Sequence, residues 1–71
     1  MKKAIELKVG DVIRTEQWSN LWKRIVPTTC TVMDVQQFGS NCNIMAKMKD
    51  GFKEVVIDLF AASDFEYELV G

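Results

Sequence analysis

The chain predicts a mainly all-β fold: a five-stranded small barrel with a long irregular arm after its first strand and a short 3₁₀ or helical turn before its last. Three observations predict it. Residues 43–58 read NIMAKMKDGFKEVVID, two alternating runs about Asp50-Gly51, and Asp-Gly in that setting is the strongest short-range hairpin signal. Residues 29–37 are rich in Thr, Val and Met and lead into the turn-like Phe38-Gly39-Ser40-Asn41, so a further strand joins the hairpin. Residues 65–70 alternate Phe, Glu, Tyr, Glu, Leu and Val, as a half-buried strand does. With 71 residues the chain reads as a single domain over 1–71. A domain of that size hides only roughly 60% of its unfolded surface.

The elements follow in order. Val9-Gly10-Asp11 reads as a turn and residues 12–15 as the first strand. Residues 16–28 carry conflicting signals. Trp18, Leu21, Trp22 and Ile25 fall at the i, i+3, i+4 and i+7 spacing of a helical stripe, which Thr15 would cap and Pro27 would stop. Against this, Ser19-Asn20 is a turn signal and Ile25-Val26 is β-branched. The reading is an irregular arm with one helical turn, running into a strand near residues 22–26; a two-turn helix is the alternative.

Strand 29–37 then pairs with the one after it. Across a four-residue turn Gln37 faces Cys42, Val35 faces Ile44 and Met33 faces Ala46. This register turns Val32 outward, a conflict that a bulge near Asp34 would resolve. In the central hairpin, with Asp50-Gly51 as a type I′ loop, Lys49 faces Phe52, Lys47 faces Glu54, Ala46 faces Val55, Met45 faces Val56 and Ile44 faces Ile57. Apolar pairs share one face and the Lys47–Glu54 pair lies on the other. Residues 59–64, LFAASD, are too short for a regular helix and read as the 3₁₀ or single helical turn. The last strand points Phe65, Tyr67 and Leu69 inward.

The opening Leu7-Lys8-Val9-Gly10-Asp11-Val12-Ile13, the Asp50-Gly51 turn and the LFAASD break before FEYELV together resemble the SH3-like small barrel over residues 7–70. More distantly, the chain resembles the short accessory proteins encoded by bacteriophages. It departs from signalling SH3 domains in lacking their acidic, aromatic-rich ALYDY-type first loop, so the resemblance does not extend to binding proline-rich ligands. Nor does the architecture fix a function.

Composition narrows the function classes. Histidine is absent, which removes the commonest general acid/base and the commonest metal ligand. Asp34, Asp58 and Asp64 form no recognisable acid pair, Cys30 lies between two threonines, and Gly39-Ser40 lacks the flanks of a nucleophile elbow or phosphate loop. The expectation is a protein that is not an enzyme and takes no cofactor or metal. No apolar run approaches 18 residues and the MKKAIELKVGD start lacks an apolar signal core, so neither a membrane span nor a signal peptide is expected, and the chain is placed in the cytoplasm. Cys30 and Cys42 read as reduced, partly buried thiols. In the register above Cys42 lies opposite Gln37, and Cys30 stands seven residues from Gln37 along its strand, roughly 20 Å at 3.3 Å per residue, beyond the reach of a disulfide.

What remains is binding. Residues 1–53 hold all nine Lys and Arg against five of the ten acids, and residues 54–71 hold the other five acids and no base. In a small barrel the first and last strands are neighbours, so Glu66 and Glu68 would cancel Lys8 or Arg14. The first expectation is a protein-interaction or inhibitor-type module acting through Trp18, Trp22, Lys23 and Arg24, since Trp and Arg anchor interfaces. Met45 and Val56, with Val32 nearby, form a second, apolar surface. It is either covered by the arm or left open to a homodimer or another partner. The alternative is weak nucleic-acid binding through the same arm with Lys47, Lys49 and Lys53 as a second basic patch. The sequence pI of about 5.2 weighs against that alternative. The two tryptophans are as compatible with a cap on the core as with exposure.

Overall fold

The computed structural model describes residues 1–70. Six strands, β1 (Lys2–Lys3), β2 (Val12–Ser19), β3 (Arg24–Phe38), β4 (Asn41–Asp50), β5 (Lys53–Ala62) and β6 (Glu66–Leu69), form one antiparallel sheet, and a 3₁₀ turn spans Ala4–Glu6. Their order across the sheet is β1-β6-β2-β3-β4-β5. The sheet curls into a half-barrel. The strand beyond the five expected is the two-residue β1, which pairs with β6 through Lys2↔Tyr67 and Lys3↔Glu66.

The curl comes from β3. It is 15 residues long because it serves two neighbours in succession. Its first half pairs with β2, from Ser19↔Arg24 to Val12↔Thr31, and its second half with β4, from Thr31↔Lys47 to Phe38↔Asn41. A bulge falls between Val32 and Asp34, where Val32↔Ala46 is followed directly by Asp34↔Met45. Met33 is the extra residue. It restores Val32 to the inner face, where it is 1% exposed, while Met33 itself looks outward. The conflict raised by the uniform register is thus resolved as a bulge would resolve it.

Inward residues alternate along each strand, and the core is the set they define: Ala4, Leu7, Ile13, Cys30, Val32, Cys42, Ile44, Ala46, Met48, Leu59 and Tyr67. Cys30 and Cys42 are unbridged and fully buried, not partly. Burial pushes the Cys30 thiol up from its usual pKa. It does the same to the Tyr67 hydroxyl, with the Cys30 and Cys42 thiols adding to the effect. Asp11 immediately precedes β2, its backbone O accepting the Val32 N–H at 2.8 Å. The Lys8 N–H donates to Asp11 Oδ2 at 2.9 Å and Lys2 Nζ reaches it at 3.1 Å. These two contacts, the backbone one first, hold the Asp11 carboxyl below its usual pKa. On the other side of β2, Arg14 pairs with Glu68 of β6 at 3.4 Å, both side chains being exposed.

Several expectations are corrected. Residues 16–28 are neither arm nor helix but the β2–β3 hairpin, in which Trp18 faces Ile25 and Gln17 faces Val26. The helical spacing of Trp18 and Ile25 arises because the two are cross-strand partners. Residues 20–23 close the hairpin, with Lys23 in the left-handed region at φ 55° and its N–H donating to Ser19 O at 2.8 Å. The β4–β5 loop is Gly51-Phe52, not Asp50-Gly51, because Asp50 pairs with Lys53. Of the two loop residues only Gly51 has a positive φ, 66°, as the first central position of a type II′ turn requires. The register therefore moves by two residues, to Ile44↔Leu59, Ala46↔Ile57 and Lys47↔Val56. A two-residue shift leaves every side chain on its predicted face. LFAASD forms no helical turn: β5 runs through Ala62, pairing Ala61 with Cys42 and Ala62 with Asn41. In the last strand only Tyr67 is buried. Leu69 is exposed, and so is Phe65, which meets the Tyr67 ring edge-on with centroids 4.9 Å apart.

Candidate functional site

The two hairpin tips meet at one end of the molecule. Asp50, the last residue of β4, accepts the Ser19 hydroxyl on Oδ1 at 2.8 Å and the Asn20 N–H on Oδ2 at 3.2 Å. Ser19 Oγ in turn accepts the Trp22 N–H at 3.2 Å. Ser19 is 2% exposed, so its hydroxyl is a buried polar group satisfied on both its donor and acceptor sides. Leu21 closes the junction from the other side. A Cβ placed on Gly51 would lie 3.1 Å from Leu21 Cδ2, so the loop rests on bare backbone.

This junction sets the presentation of the tip. Trp22 is 65% exposed and Phe52 fully so, with Leu21 beside them. Neither tryptophan caps the core. Trp18 lies on the outer face of the hairpin next to Ile25, since its neighbour Ser19 turns inward. Two open clefts flank the junction. One, of about 420 Å³, lies where β3 and β4 diverge and is lined by Trp22, Arg24, Val26 and Thr28 against Met48 and Asp50. The other, of about 400 Å³, lies between Asn20-Leu21 and Gly51-Phe52-Lys53. Lys23, Arg24, Lys49 and Lys53 surround the tip, and none of them has a salt bridge among the described residues. Lys47 differs: it pairs with Glu54 at 3.9 Å. That contact is diagonal, because Lys47 stands opposite Val56 and Glu54 opposite Lys49.

The structure therefore joins what the sequence left as two patches. Trp22, Lys23 and Arg24 of one hairpin and Lys49 and Lys53 of the other share one end, and Asp50 brings them together. The connection had no local signal, since Ser19 and Asp50 are 31 residues apart. Phe52 was missed as a site residue because the expected register placed it inside the strand.

Met45 and Val56 form a separate surface, on the outer face of β4 and β5. They are exposed, so the β2–β3 hairpin does not cover them. They are not directly opposed: Met45 faces Asp58 and Val56 faces Lys47, which leaves the two diagonal to each other. Val32 is absent from this face. Met33 and Phe60 look outward in its place, Met33 through the bulge and Phe60 through the same alternation that exposes Val56.

Among the described residues no three of His, Cys, Asp and Glu come together as a metal-binding group. No helix among them is long and apolar enough to cross a membrane. No family model matches the chain, and neither the curated proteins nor the solved structures compared with it contain a match.

Proposed function

We propose that the protein is a non-catalytic binding module that holds a protein partner at the joined hairpin tips. The observation that carries this reading is the exposed Trp22, buttressed from below by Ser19 and Asp50 and flanked by Leu21, Phe52 and unpaired cations. A large aromatic with its loop already fixed loses little conformational freedom on docking, and Trp and Arg are both enriched at interface hot spots. The same reading takes the half-barrel as SH3-like. In its support, β6 returns to lie beside β2, and β2 to β5 follow one another as a meander.

A second reading, nucleic-acid binding, gains from one specific observation: Lys23, Arg24, Lys49 and Lys53 converge on the tip that bears the exposed aromatics. Salt separates the two readings. Phosphate binding weakens steeply as salt rises, and apolar docking does not.

The test is the Trp22→Ala variant with its fold checked by circular dichroism. For a protein anchor, affinity for the captured partner falls by at least about tenfold, the loss of a moderate hot spot. Unaltered capture would remove Trp22 from the site. Titration with single-stranded and duplex oligonucleotides at two salt concentrations, read by tryptophan fluorescence, decides the second reading. A shift seen only at low salt favours it.

A further inference from the structure

The sheet ends at β5, a ten-residue strand with no neighbour on its far side among the described residues. The closing pair of a two-residue hairpin exchanges both of its main-chain bonds, and strand alternation repeats that at every second residue. Asp50↔Lys53 is such a pair. Lys53, Val55, Ile57, Leu59 and Ala61 therefore turn their main-chain groups to β4, and the Ser63 N–H continues the series by donating to Ser40 O at 2.9 Å. Glu54, Val56, Asp58 and Phe60 turn theirs away from the sheet, where no main-chain partner meets them among the described residues. Natural proteins blunt such edges with proline, a bulge or charged side chains, and of these β5 carries only the charges of Lys53, Glu54 and Asp58. Residues 54–61, EVVIDLFA, contain neither proline nor glycine, and β5 pairs with β4 without a bulge.

We propose that this edge pairs with β5 of a second copy, antiparallel about a two-fold axis at Ile57, so that the two half-barrels share one continuous sheet. A two-fold axis perpendicular to the sheet keeps inner faces with inner faces, which allows only registers that move by two residues. Charge selects among the three that centre on the middle of β5, at Val56, Ile57 or Asp58. Centring on Val56 sets Glu54 opposite Asp58 of the other copy, and centring on Asp58 sets that carboxylate opposite itself; like charges directly opposed are destabilising. Centring on Ile57 opposes no like charges. It places Ile57 against its own copy and Val55 against Leu59 on the inner face, with Val56 against Asp58 and Glu54 against Phe60 on the outer. The unpaired groups of Glu54, Val56, Asp58 and Phe60 then pair with one another, giving about eight main-chain hydrogen bonds at two for each such pair. Val55, 39% exposed in the single chain, is covered where the core now opens at the sheet edge.

Sedimentation of the full chain over a concentration series is the test. The expected mass rises to twice that of the 8.1 kDa chain, and the Val56 and Asp58 amides become slower to exchange as it does. Val56→Pro removes an outward N–H and no β4 bond, so it is expected to stay folded and monomeric. Val56→Lys sets a lysine opposite Asp58 of the other copy in this register, and opposite another lysine if the axis lies at Val56. It is therefore expected to remain dimeric and to become salt-sensitive. A chain that sediments as a monomer at every concentration overturns the proposal, as does a dimer whose Val56 and Asp58 amides exchange freely. Dissociation by Val56→Lys overturns the register. The amide measurement decides the matter even where the proline variant fails to fold.

Discussion

Asp50 is expected to contribute more to stability than its position at a hairpin tip suggests, and a mutant cycle with Ser19 measures it. Asp50→Ala removes two hydrogen bonds to a carboxylate, from the Ser19 hydroxyl at 2.8 Å and the Asn20 N–H at 3.2 Å. Bonds to charged groups are worth about 1.5–3 kcal/mol each net. Asp50 is half-exposed, which places both near or below the bottom of that range. The buried Ser19 hydroxyl is left without its acceptor. A total of about 2–3 kcal/mol follows, against about 3–5 kcal/mol for the whole fold of a domain this small. Such a loss lowers Tm by roughly 10–20 °C in a domain of this size. Ser19→Ala is milder, about 1 kcal/mol, because the half-exposed carboxylate returns to water and only the Trp22 N–H loses an acceptor. The double variant is expected to resemble Asp50→Ala alone, with a coupling of about 1 kcal/mol. Urea unfolding followed by tryptophan fluorescence and far-UV circular dichroism supplies all four corners of the cycle. Single effects that add to within about 0.3 kcal/mol would refute the junction, because contacting partners in one network do not add.

Two other predictions follow from the same geometry. Gly51→Ala meets both a left-handed φ of 66° and a contact at 3.1 Å with Leu21, whereas Gly39→Ala meets a φ of 60° and open space. Both should destabilise, by about 1–3 kcal/mol for the backbone conformation, with Gly51→Ala the worse in urea midpoints. Equal midpoints for the two variants would show that Leu21 does not pack on the turn. Stability should also fall at alkaline pH. The folded pKa values of Cys30 and Tyr67 lie above their ordinary 9.0 and 10.0, so the unfolded chain releases these protons first. Their contribution is complete below pH 9 and is lost as pH rises through the folded values. Thermal melts across pH 8–11 test this, and Cys30→Ala should remove the earlier part of the decline.

The legible parts of the fold were those whose determinants lie close together in sequence. The faces of β4 and β5 were read correctly because alternation survives an error of two residues, and the Val32 conflict pointed to the bulge because one residue too many flips a face. The β2–β3 hairpin was legible only in part: Ser19-Asn20 signalled a turn and residues 22–26 a strand, as the end of β2 and the start of β3 show, but nothing signalled their pairing. Its closure depends on Lys23 at a left-handed φ, a position where glycine or asparagine would have signalled a turn, and on a carboxylate 31 residues downstream of Ser19. LFAASD misled for a related reason. Two alanines with little intrinsic preference for strand are carried into β5 by their pairing with Asn41 and Cys42, while the 3₁₀ turn forms at Ala4–Glu6.

The candidate site was legible as a list of residues and illegible as a place. Trp22 and Lys49 stand out individually, but nothing local says that they share an end of the molecule. The physical reason lies in how a half-barrel divides its chain. One concave face encloses the core, with Ile13, Ile44 and Ala46 wholly buried. The convex face, the tips and the β5 edge must go outside, and here they carry Trp18, Trp22, Phe52, Met45, Val56 and Phe60. Truncating the exposed residues costs the fold little, because they bury little area. Truncating Ile44 costs about 2–5 kcal/mol, as much as a small domain has to lose. Folding therefore accounts for the inner residues and leaves the outer ones unexplained. Large apolar side chains held in water at no benefit to the fold are where a binding role is to be sought, and in this chain they lie at the stapled tips and along the unpaired strand.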